Sequence, residues 1–334
     1  MTERLPQKMV TGAADFGRVV VLFGGTSAER EISLKSGQAV FGALLKMGVD
    51  AHAMDVGEDV IERLQEGKFD RAFIVLHGRG GEDGVIQGVL EMLDIPYTGS
   101  DVLASALAMD KVVSKTVWRG MGLPTPVAVL IEDVVTSNAV IDELGLPLII
   151  KPASEGSSLG MSKVTEAEQF ESACKVALQL EGRVFAERWI AGAEYTASIV
   201  CGQVLPLIRV ETPNEFYDFD AKYKKNSTQY HCPCGLGAVQ EKALQALALK
   251  AFKGLTCAGW GRVDFMMDES GQAWLIEVNT VPGMTDHSLV PMAAAAMGCD
   301  FDELVWRILE TSVVSMPSAR QQDQKSDQFS RGQA

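Results

Sequence analysis

The stretch 261–283 concentrates side chains that could hold a metal ion and an anion. Arg262 and Asp264 alternate along one predicted strand, and Glu277 and Asn279 alternate along the next. Residues two apart in a strand share a face, so each pair projects from one side. Carboxylate and amide oxygens suit hard cations such as Mg2+, which complete their shell with water and substrate phosphates. A guanidinium supplies a fixed positive charge for oxyanions. These residue types and spacings predict a metal–nucleotide site.

The two strands must pair so that both polar sets meet. A hairpin that pairs Met267 with Gln272 would place all four polar side chains on one face. The opposite face would collect the apolar side chains of Val263, Phe265, Met267, Trp274, Ile276 and Val278. The alternative for one such strand is an edge hairpin with a solvated polar face. Two strands in matching parity, followed at once by Pro282-Gly283, favour the site.

Two glycine-rich loops follow short apolar strands in the first third of the chain. The first loop carries Glu29, and the second, Leu76–Gly84, carries His77. Ligands bind beyond the carboxyl ends of parallel strands, where such loops lie. Glu29 could instead only favour a helix dipole, and a lone histidine is more often structural. The four glycines close to His77 favour a binding surface.

Two further loops are candidates for contact with phosphates. Residues 153–161 are small, polar and glycine-bearing, and they come just after Lys151. Backbone N–H groups in such a loop can wrap phosphate oxygens, although a plain surface linker has a similar composition. Residues 216–229 form a long segment with tyrosines and lysines but no clear periodicity. A segment of this kind suits a lid over an anion, and a solvated basic loop is the alternative.

Composition excludes several classes of function. The chain has 334 residues, 47% of them hydrophobic, and a net charge of −14, which disfavours a nucleic-acid partner. Its six cysteines form no CxxC pair, so we expect a reducing, cytoplasmic location. The cluster His231-Cys232-Pro233-Cys234 matches no common zinc spacing and is interpreted as ordinary thiols. No signal peptide or membrane span is expected.

The pattern of strands, helices and turns predicts an α/β protein, and the length of the chain allows two or three domains. Helices are expected near 32–47, 101–108, 111–120, 138–144, 166–178, 239–257 and 301–314. The predicted segments are a flexible leader 1–17, an N-terminal α/β domain 18–99, a central domain 100–187, a C-terminal domain 188–316 and a disordered tail 317–334.

Five blocks together resemble the D-alanine–D-alanine ligases of the ATP-grasp superfamily, in the order in which that family carries them. The blocks are GGTSAEREISL (24–34), LHGRGGEDG (76–84), KPASEGSSLGMSKV (151–164), GWGRVDFM (259–266) and LIEVNTVPGMTDHSLVP (275–291). The resemblance implies a three-domain ATP-grasp fold, in which an N-terminal parallel α/β domain is joined to two α+β domains that sandwich ATP. It also implies that ATP drives the joining of two D-alanines through a D-alanyl phosphate, for peptidoglycan precursor synthesis.

The resemblance assigns roles to residues around the nucleotide. It implies that Asp264, Glu277 and Asn279 bind two Mg2+ or Mn2+ ions, and that Arg262 and the Gly283 N–H stabilise an oxyanion. A monovalent cation is a further candidate. The ATP-binding residues it implies are Lys111, Lys151, Ser157, Ser158, Glu187, Trp189, Ile190, Glu194 and Lys222.

The resemblance also implies the substrate site. Glu29 would pair with the ammonium of the first D-alanine beside His77, and Glu29, Ser157 and Tyr223 would form a hydrogen-bonded catalytic group. Ser288 and the Leu289 N–H would bind the carboxylate of the second D-alanine. The implied assembly is a homodimer. Two rival functions are a ligase that makes D-alanyl-D-lactate and a relative that binds ATP without turnover.

Overall fold

An apolar parallel sheet lies near the amino end of the chain. The computed structural model describes residues 5, 8–131, 137–156, 159–180, 182–212, 228–285 and 287–314. The strands of this sheet, in the order β2-β1-β3, are β1 (Arg18–Gly24), β2 (Asp50–Val56) and β3 (Arg71–Ile74). The helices that accompany it are α1 (Arg30–Lys46), α2 (Val60–Gly67) and α3 (Val85–Met92). β1 is buried from Val19 onward, as a central parallel strand requires. The carboxyl ends of β1 and β3 therefore point the two glycine-rich loops the same way.

A second sheet, of four antiparallel strands, forms the middle of the chain. Its order is β4-β7-β5-β6, and its strands are β4 (Ala128–Ile131), β5 (Leu148–Pro152), β6 (Ser162–Val164) and β7 (Val184–Arg188). The helices in this part of the chain are α4 (Val102–Met109), α5 (Lys111–Gly120), α6 (Ser137–Leu144) and α7 (Phe170–Leu178). The apolar side of α7 packs on this sheet through Phe170 and Cys174, both fully buried. This core fixes the position of Lys151 and Glu187 on neighbouring strands.

The third sheet contains the hairpin predicted to carry the metal ligands. Its order is β11-β10-β8-β12-β13, with β9 paired to β8. The strands are β8 (Gly192–Val200), β9 (Gln203–Val204), β10 (Ile208–Glu211), β11 (Gln229–His231), β12 (Trp260–Asp268) and β13 (Ala273–Asn279). The remaining helices are α8 (Ala238–Gly254), α9 (Leu289–Ala296) and α10 (Phe301–Val314).

The hairpin of β12 and β13 keeps the predicted polar face but reaches it by another register. The predicted pairing of Met267 with Gln272 is wrong, because Met267 pairs with Ala273. A β-bulge then leaves Ile276 without a partner, since Phe265 pairs with Leu275 and Asp264 pairs with Glu277. A one-residue slip reverses the faces of a strand, so the bulge restores the alignment of the polar side chains.

The bulge also changes which residues of β13 enter the core. Trp274 and Ile276 were expected on the apolar face, but both are only partly buried. Ala273 and Leu275 lie in the core instead. The Trp274 indole N–H donates to Asp268 Oδ2 at 2.8 Å, so this ring is held at the surface of the sheet by a polar contact.

The amino-terminal segment is held in place from residue 8 onward, in contrast to the predicted flexible leader. The backbone N–H groups of Met9 and Val10 donate to Glu310 Oε1 at 2.8 and 2.9 Å. Phe16 is fully buried and packs edge-on against Trp306, with ring centroids 4.9 Å apart. The last helix therefore shares the core of the first sheet, although it follows the third sheet in sequence. None of the described helices has the length and apolar character needed to cross a bilayer.

Candidate active site

A cavity of about 420 Å³ lies between the second and third sheets. One wall comes from β5, β7 and the loop after β5, and the other comes from β8, β10, β12 and β13. The predicted site residues that line it are Lys111, Lys151, Glu187, Trp189, Ile190, Glu194, Asp264 and Glu277. Its volume falls within the usual range for small-molecule sites. The structure thus brings together residues spread over more than 160 positions of sequence.

Three charged groups meet at the wall of the cavity. Glu187 is 2% exposed and makes a short ion pair with Lys151, and its Oε2 lies 2.7 Å from Lys115 Nζ. Burial alone would raise the pKa of Glu187, but the two ammonium groups outweigh it and hold that pKa below its ordinary value. Burial lowers the pKa of Lys115, and the charge of Glu187 opposes that shift. The group carries two cations for one anion.

Lys111 lies at the first position of α5 and reaches across to the third sheet. Asp110 caps the helix by accepting from the N–H groups of Val112 and Val113 at 3.0 Å. Lys111 Nζ donates to the Glu155 carbonyl at 2.7 Å and lies 3.2 Å from Glu277 Oε2. The helix cap therefore fixes a cation between the loop after β5 and a candidate metal ligand.

Aromatic and charged side chains also flank the cavity. Lys163 Nζ lies 4.5 Å from the ring centroid of Trp189, and the Arg188 guanidinium lies 5.0 Å from that of Trp274. Such cation–π contacts orient a ring without using its polar atoms. Trp189 and its neighbour Ile190 are consequently held at the cavity wall. The arrangement is suited to a flat, partly apolar group such as a purine.

Polar side chains form a grid across three adjacent strands. β8, β12 and β13 place Ser198, Arg262 and Asn279 in one row. The same registers place Thr196, Asp264 and Glu277 in the next row. Residues directly opposite on antiparallel strands are close enough for their side chains to interact. The grid forms the polar floor that the sequence predicted, with one more strand than expected.

Asp264 is the centre of this grid. Thr196 Oγ1 donates to its Oδ1 at 2.6 Å, and Asn279 Nδ2 donates to its Oδ2 at 3.0 Å. Arg262 donates to both carboxylate oxygens, from Nε at 2.8 Å and from Nη2 at 2.7 Å. A bidentate guanidinium–carboxylate pair is among the strongest hydrogen-bonded contacts in proteins. Asp264 is 7% exposed, so these contacts fix its orientation.

The donor set at this floor fits a divalent hard cation. Asp264 and Glu277 lie opposite one another, and the amide of Asn279 adjoins them. Two carboxylates and an amide leave several positions for water and phosphate oxygens, which is the arrangement that Mg2+ favours. Among the described residues, no group of three His, Cys, Asp or Glu side chains is placed to hold a metal. Cys232 and Cys234 are both free thiols.

A second polar group surrounds the loop that follows β13. His77 Nδ1 donates to the Val281 carbonyl at 2.9 Å, which leaves Nε2 to accept from Ser36 Oγ at 3.4 Å. The Ser36 oxygen also accepts from the N–H of Met284 at 3.1 Å. Burial lowers the pKa of His77 and favours its neutral form. His77 therefore holds the backbone on both sides of Gly283.

Glu29 lies between two glycine loops. A methyl group added to Gly156 would come within 2.7 Å of Glu29 Oε2, and one added to Gly78 would come within 3.1 Å. The first loop, the second loop and the loop after β5 thus converge on this carboxylate. Arg79 Nε lies 3.3 Å from Glu155 Oε1 and links the last two loops again.

Ser288 stands next to Gly283. A methyl group added to Gly283 would lie 2.9 Å from Ser288 Oγ. Ser288 occupies the N-cap position of α9, but its hydroxyl makes no cap hydrogen bond. It accepts from the Thr285 N–H at 2.9 Å instead. The N–H groups at the start of α9, including that of Leu289, can therefore serve an anion.

Glu82 is partly buried within the same group and is expected to make stability depend on pH. Its carboxylate accepts from the N–H groups of Gly78 at 2.7 Å and Val281 at 3.2 Å. Burial, assisted by the charge of Glu29, raises its pKa from 4.5 to about 8. Between those values the folded state binds more protons than the unfolded state, so the free energy of unfolding falls as pH rises.

The variant Glu82→Gln should lack this pH dependence. Relative to it, the wild type is expected to lose stability by on the order of a few kcal/mol between about pH 5 and pH 8. Urea denaturation at four pH values measures the difference. Glu66→Gln, at an exposed site on α2, is the control. Parallel stability curves for the wild type and Glu82→Gln would contradict this account of the carboxyl.

Two family models match the chain. The model described as D-ala D-ala ligase C-terminus matches residues 117–310, and the one described as D-ala D-ala ligase N-terminus matches residues 53–100. The chain belongs to the D-alanine–D-alanine ligase family. The D-alanine–D-alanine ligase of Nitrosococcus oceani is 62% identical over 300 residues, covering 89% of this chain and 94% of the relative. That of Methylococcus capsulatus is 58% identical over 306 residues, covering 92% and 99%.

A solved structure supports the same fold for this ligase family member. The structure of the Bacillus anthracis D-alanine–D-alanine ligase complexed with ATP has a TM-score of 0.78 at 34% identity, and the match covers 89% of this chain and 97% of that chain. The predicted α/β ATP-grasp fold is therefore confirmed. The predicted domain boundaries stay predictions.

Four of the residues predicted for this ligase family member lie outside the described residues. They are Ser157, Ser158, Lys222 and Tyr223. The loop that carries the first two is described on both sides, and Gly156 adjoins Glu29. The remaining predicted site residues fall into the cavity wall, the polar grid and the group around Gly283.

Sequence reasoning missed three residues that the fold brings into contact with the site. Thr196 and Ser198 share the parity of Glu194 and alternate with apolar residues, and this alternation is the signal that could have found them. Lys115 follows Lys111 by four positions on a predicted helix, which places both on one face. Their partners are distant in sequence, so spacing alone does not reveal the contacts.

Proposed function

We propose that this chain joins two D-alanines to form D-alanyl-D-alanine, with conversion of ATP to ADP and phosphate. The observation that carries the proposal is the position of Asp264. It lines the nucleotide-sized cavity, and its partner Arg262 lies near enough to His77 for the charge of the guanidinium to help lower the pKa of that histidine. The relatives of this chain at 62% and 58% identity are named for this reaction. One site can thus hold a phosphoryl donor next to small zwitterions.

The chemistry requires activation of a carboxylate. An oxygen of the first D-alanine carboxylate takes the γ-phosphoryl group, and ADP leaves. The amine of the second D-alanine then attacks the acyl carbon, loses a proton and expels phosphate. Because charge spreads over the transferring oxygens, catalysis depends chiefly on positioning and electrostatics.

The cavity residues would bind ATP. Lys111 and Lys151 would neutralise phosphates, whereas Trp189, Ile190 and Glu194 would receive adenosine. Asp264, Glu277 and Asn279 would hold Mg2+ or Mn2+, which supplies charge neutralisation for the phosphates. We propose that Lys222 and Ser158, which lie outside the described residues, also contribute to binding the phosphates. A requirement for a monovalent cation is included in the proposal.

Glu187 would bind the adenine amino group although both of its carboxylate oxygens already have partners. It is predicted to accept from the adenine amino group, and it lines the cavity. Both of its oxygens already contact lysine ammonium groups. Each carboxylate oxygen can accept more than one hydrogen bond, so an amino group can still bind to it.

The second polar group would bind the amino acids. Glu29 would pair with the ammonium of the first D-alanine, with Ser157 and Tyr223 as its partners. Ser288 and the Leu289 N–H would bind the second carboxylate. Arg262 and the Gly283 N–H would stabilise the oxyanion that forms as the amine attacks.

Gly283→Ala is expected to weaken binding of the second D-alanine. The added methyl group would lie 2.9 Å from Ser288 Oγ, closer than two such atoms tolerate, so the hydroxyl must move. We expect KM for that subsite to rise about tenfold, with a smaller change in the Kd for ATP. Gly42→Ala on α1, where a methyl group meets nothing within 4 Å, is the control. An unchanged KM in steady-state kinetics would remove Ser288 from the subsite.

We also propose a cytoplasmic location and a homodimeric assembly. The described cysteines are all free thiols, which agrees with a reducing compartment that supplies ATP. Sedimentation equilibrium of the full chain tests the assembly, and a monomer at all concentrations would contradict it.

Phosphate release identifies the reaction. ATP and Mg2+ are supplied with D-alanine, with L-alanine, or with D-alanine plus D-lactate, and the products are identified by mass. Release with D-alanine alone, giving the dipeptide, supports the proposal. Release only with D-lactate would show the depsipeptide activity instead. Binding of ATP without release in any mixture would indicate the non-catalytic alternative.

A further inference from the structure

Lys115 is a fully buried lysine at the site, with no role yet assigned. Its side chain is 1% exposed, and its Nζ lies 2.7 Å from Glu187 Oε2. It also donates to Thr125 Oγ1 at 3.1 Å and to the Leu275 carbonyl at 3.4 Å. Burying an ammonium without compensation is very costly. The position is thus sustained by contacts to β7, to β13 and to Thr125 in the segment that precedes β4.

Lys151 and Lys115 share one carboxylate but differ in access. Lys151 and Glu187 line the cavity, whereas Lys115 is enclosed. If Glu187 paired with Lys151 alone, the two charges would cancel at the cavity wall. Two lysines against one carboxylate leave one positive charge, and only Lys151 can present it to a ligand.

We infer that Lys115 is a positioning residue that neutralises Glu187 from behind, so that the charge of Lys151 is left for the phosphates of the nucleotide. The inference rests on the proposed ATP site. It explains how one carboxylate can face adenine while a lysine bonded to it still attracts phosphate. Lys115 itself touches neither ligand.

The inference is tested by a quantity that depends on the charge near the phosphates, because a purely structural role for Lys115 would leave that quantity unchanged. The chosen quantity is the ratio of the Kd for adenosine to the Kd for ATP, measured by calorimetry in EDTA. This ratio isolates the contribution of the phosphates and cancels changes at the adenine. Lys115→Met removes the hidden cation, and the ratio should fall about tenfold, since one charge is lost near the phosphates in a partly buried site.

The double variant Lys115→Met/Glu187→Gln removes one cation and one anion together. Its net charge equals that of the wild type, so its ratio should return to near the wild-type value. Lys175→Met, at an exposed position of α7, is the matched control and should change nothing. Circular dichroism melts establish that each variant is folded.

The outcomes separate the inference from the proposed function. An unchanged ratio in Lys115→Met, or a double variant as weak as the single one, would overturn the inference. If Lys115→Met does not fold, Glu187→Gln alone decides: its ratio should be at least that of the wild type, and a lower ratio would overturn the inference. Wild-type chain that binds ATP no more tightly than adenosine would also overturn the inference, whereas wild-type chain that binds neither ligand would refute the proposed nucleotide site.

Discussion

Replacement of Arg262 by methionine is expected to lower kcat by about 10²- to 10³-fold, the usual effect of removing one donor to an oxyanion. Arg262 is 13% exposed at its side chain and is held by two hydrogen bonds to Asp264. Its position is thus fixed before substrate arrives, which is the condition for electrostatic stabilisation of a transition state. Methionine keeps the bulk of the side chain and removes the charge.

The effect should appear in turnover rather than in nucleotide affinity. Lys111 and Lys151 would still neutralise the phosphates, so the Kd for ATP should change by less than about threefold, within the range of a rim charge. Arg209→Met is the control, because Arg209 lies in the same sheet and lines the cavity. Steady-state kinetics combined with calorimetry separates the two quantities. A variant with more than about a tenth of the wild-type kcat would contradict the role given to Arg262.

The second large effect is expected for Glu277→Gln. Glu277 lies opposite Asp264 in the hairpin and 3.2 Å from Lys111. Glutamine keeps the shape but removes a negative charge from the candidate metal ligands, and it leaves Lys111 without its ion pair. Phosphoryl transfer should fall by about 10²-fold or more, by analogy with other groups that act on the transferring phosphate.

Binding of D-alanine should survive this change, because Glu29 and Ser288 lie in the other polar group. Rapid-quench measurement of ADP formation, with Mn2+ binding followed by electron paramagnetic resonance, tests both parts. Glu269→Gln, in the exposed turn of the same hairpin, is the control. Near-normal ADP formation together with wild-type Mn2+ affinity would remove Glu277 from the metal site.

The sequence predicted the polar face of this hairpin because alternation is a local property of a strand. Arg262 and Asp264 follow from period two alone. The pairing between strands does not, since it depends on turn geometry and on the bulge at Ile276. The predicted polar face is correct although the predicted register is wrong, because the bulge at Ile276 shifts the pairing by one residue.

Contacts between distant elements were less accessible to sequence reasoning. Lys115 and Glu187 are far apart in the chain, and their ion pair requires α5 to pack against β7. Hydrophobic periodicity predicts which side of a helix or strand is buried, but it does not predict which element packs against that side. The same limit applies to Thr196, whose partner Asp264 is brought into register by the third sheet.

The amino-terminal segment shows a different limit. Residues 1–17 have no strong periodicity, and flexibility was the natural expectation. Residues 9 and 10 are nevertheless bound by the carboxylate of Glu310, which also pairs with Arg307. A polar anchor of this kind leaves no pattern in the segment that it holds.

The central claim is that a D-alanine carboxylate is phosphorylated at this site before the peptide bond forms. D-alanine labelled with 18O in its carboxylate tests it directly, because the attacking oxygen leaves with phosphate. Mass spectrometry of the products should find one labelled oxygen in phosphate for each dipeptide formed, with the other oxygen of that carboxylate in the peptide carbonyl. Dipeptide formation with no label in phosphate would contradict the claim.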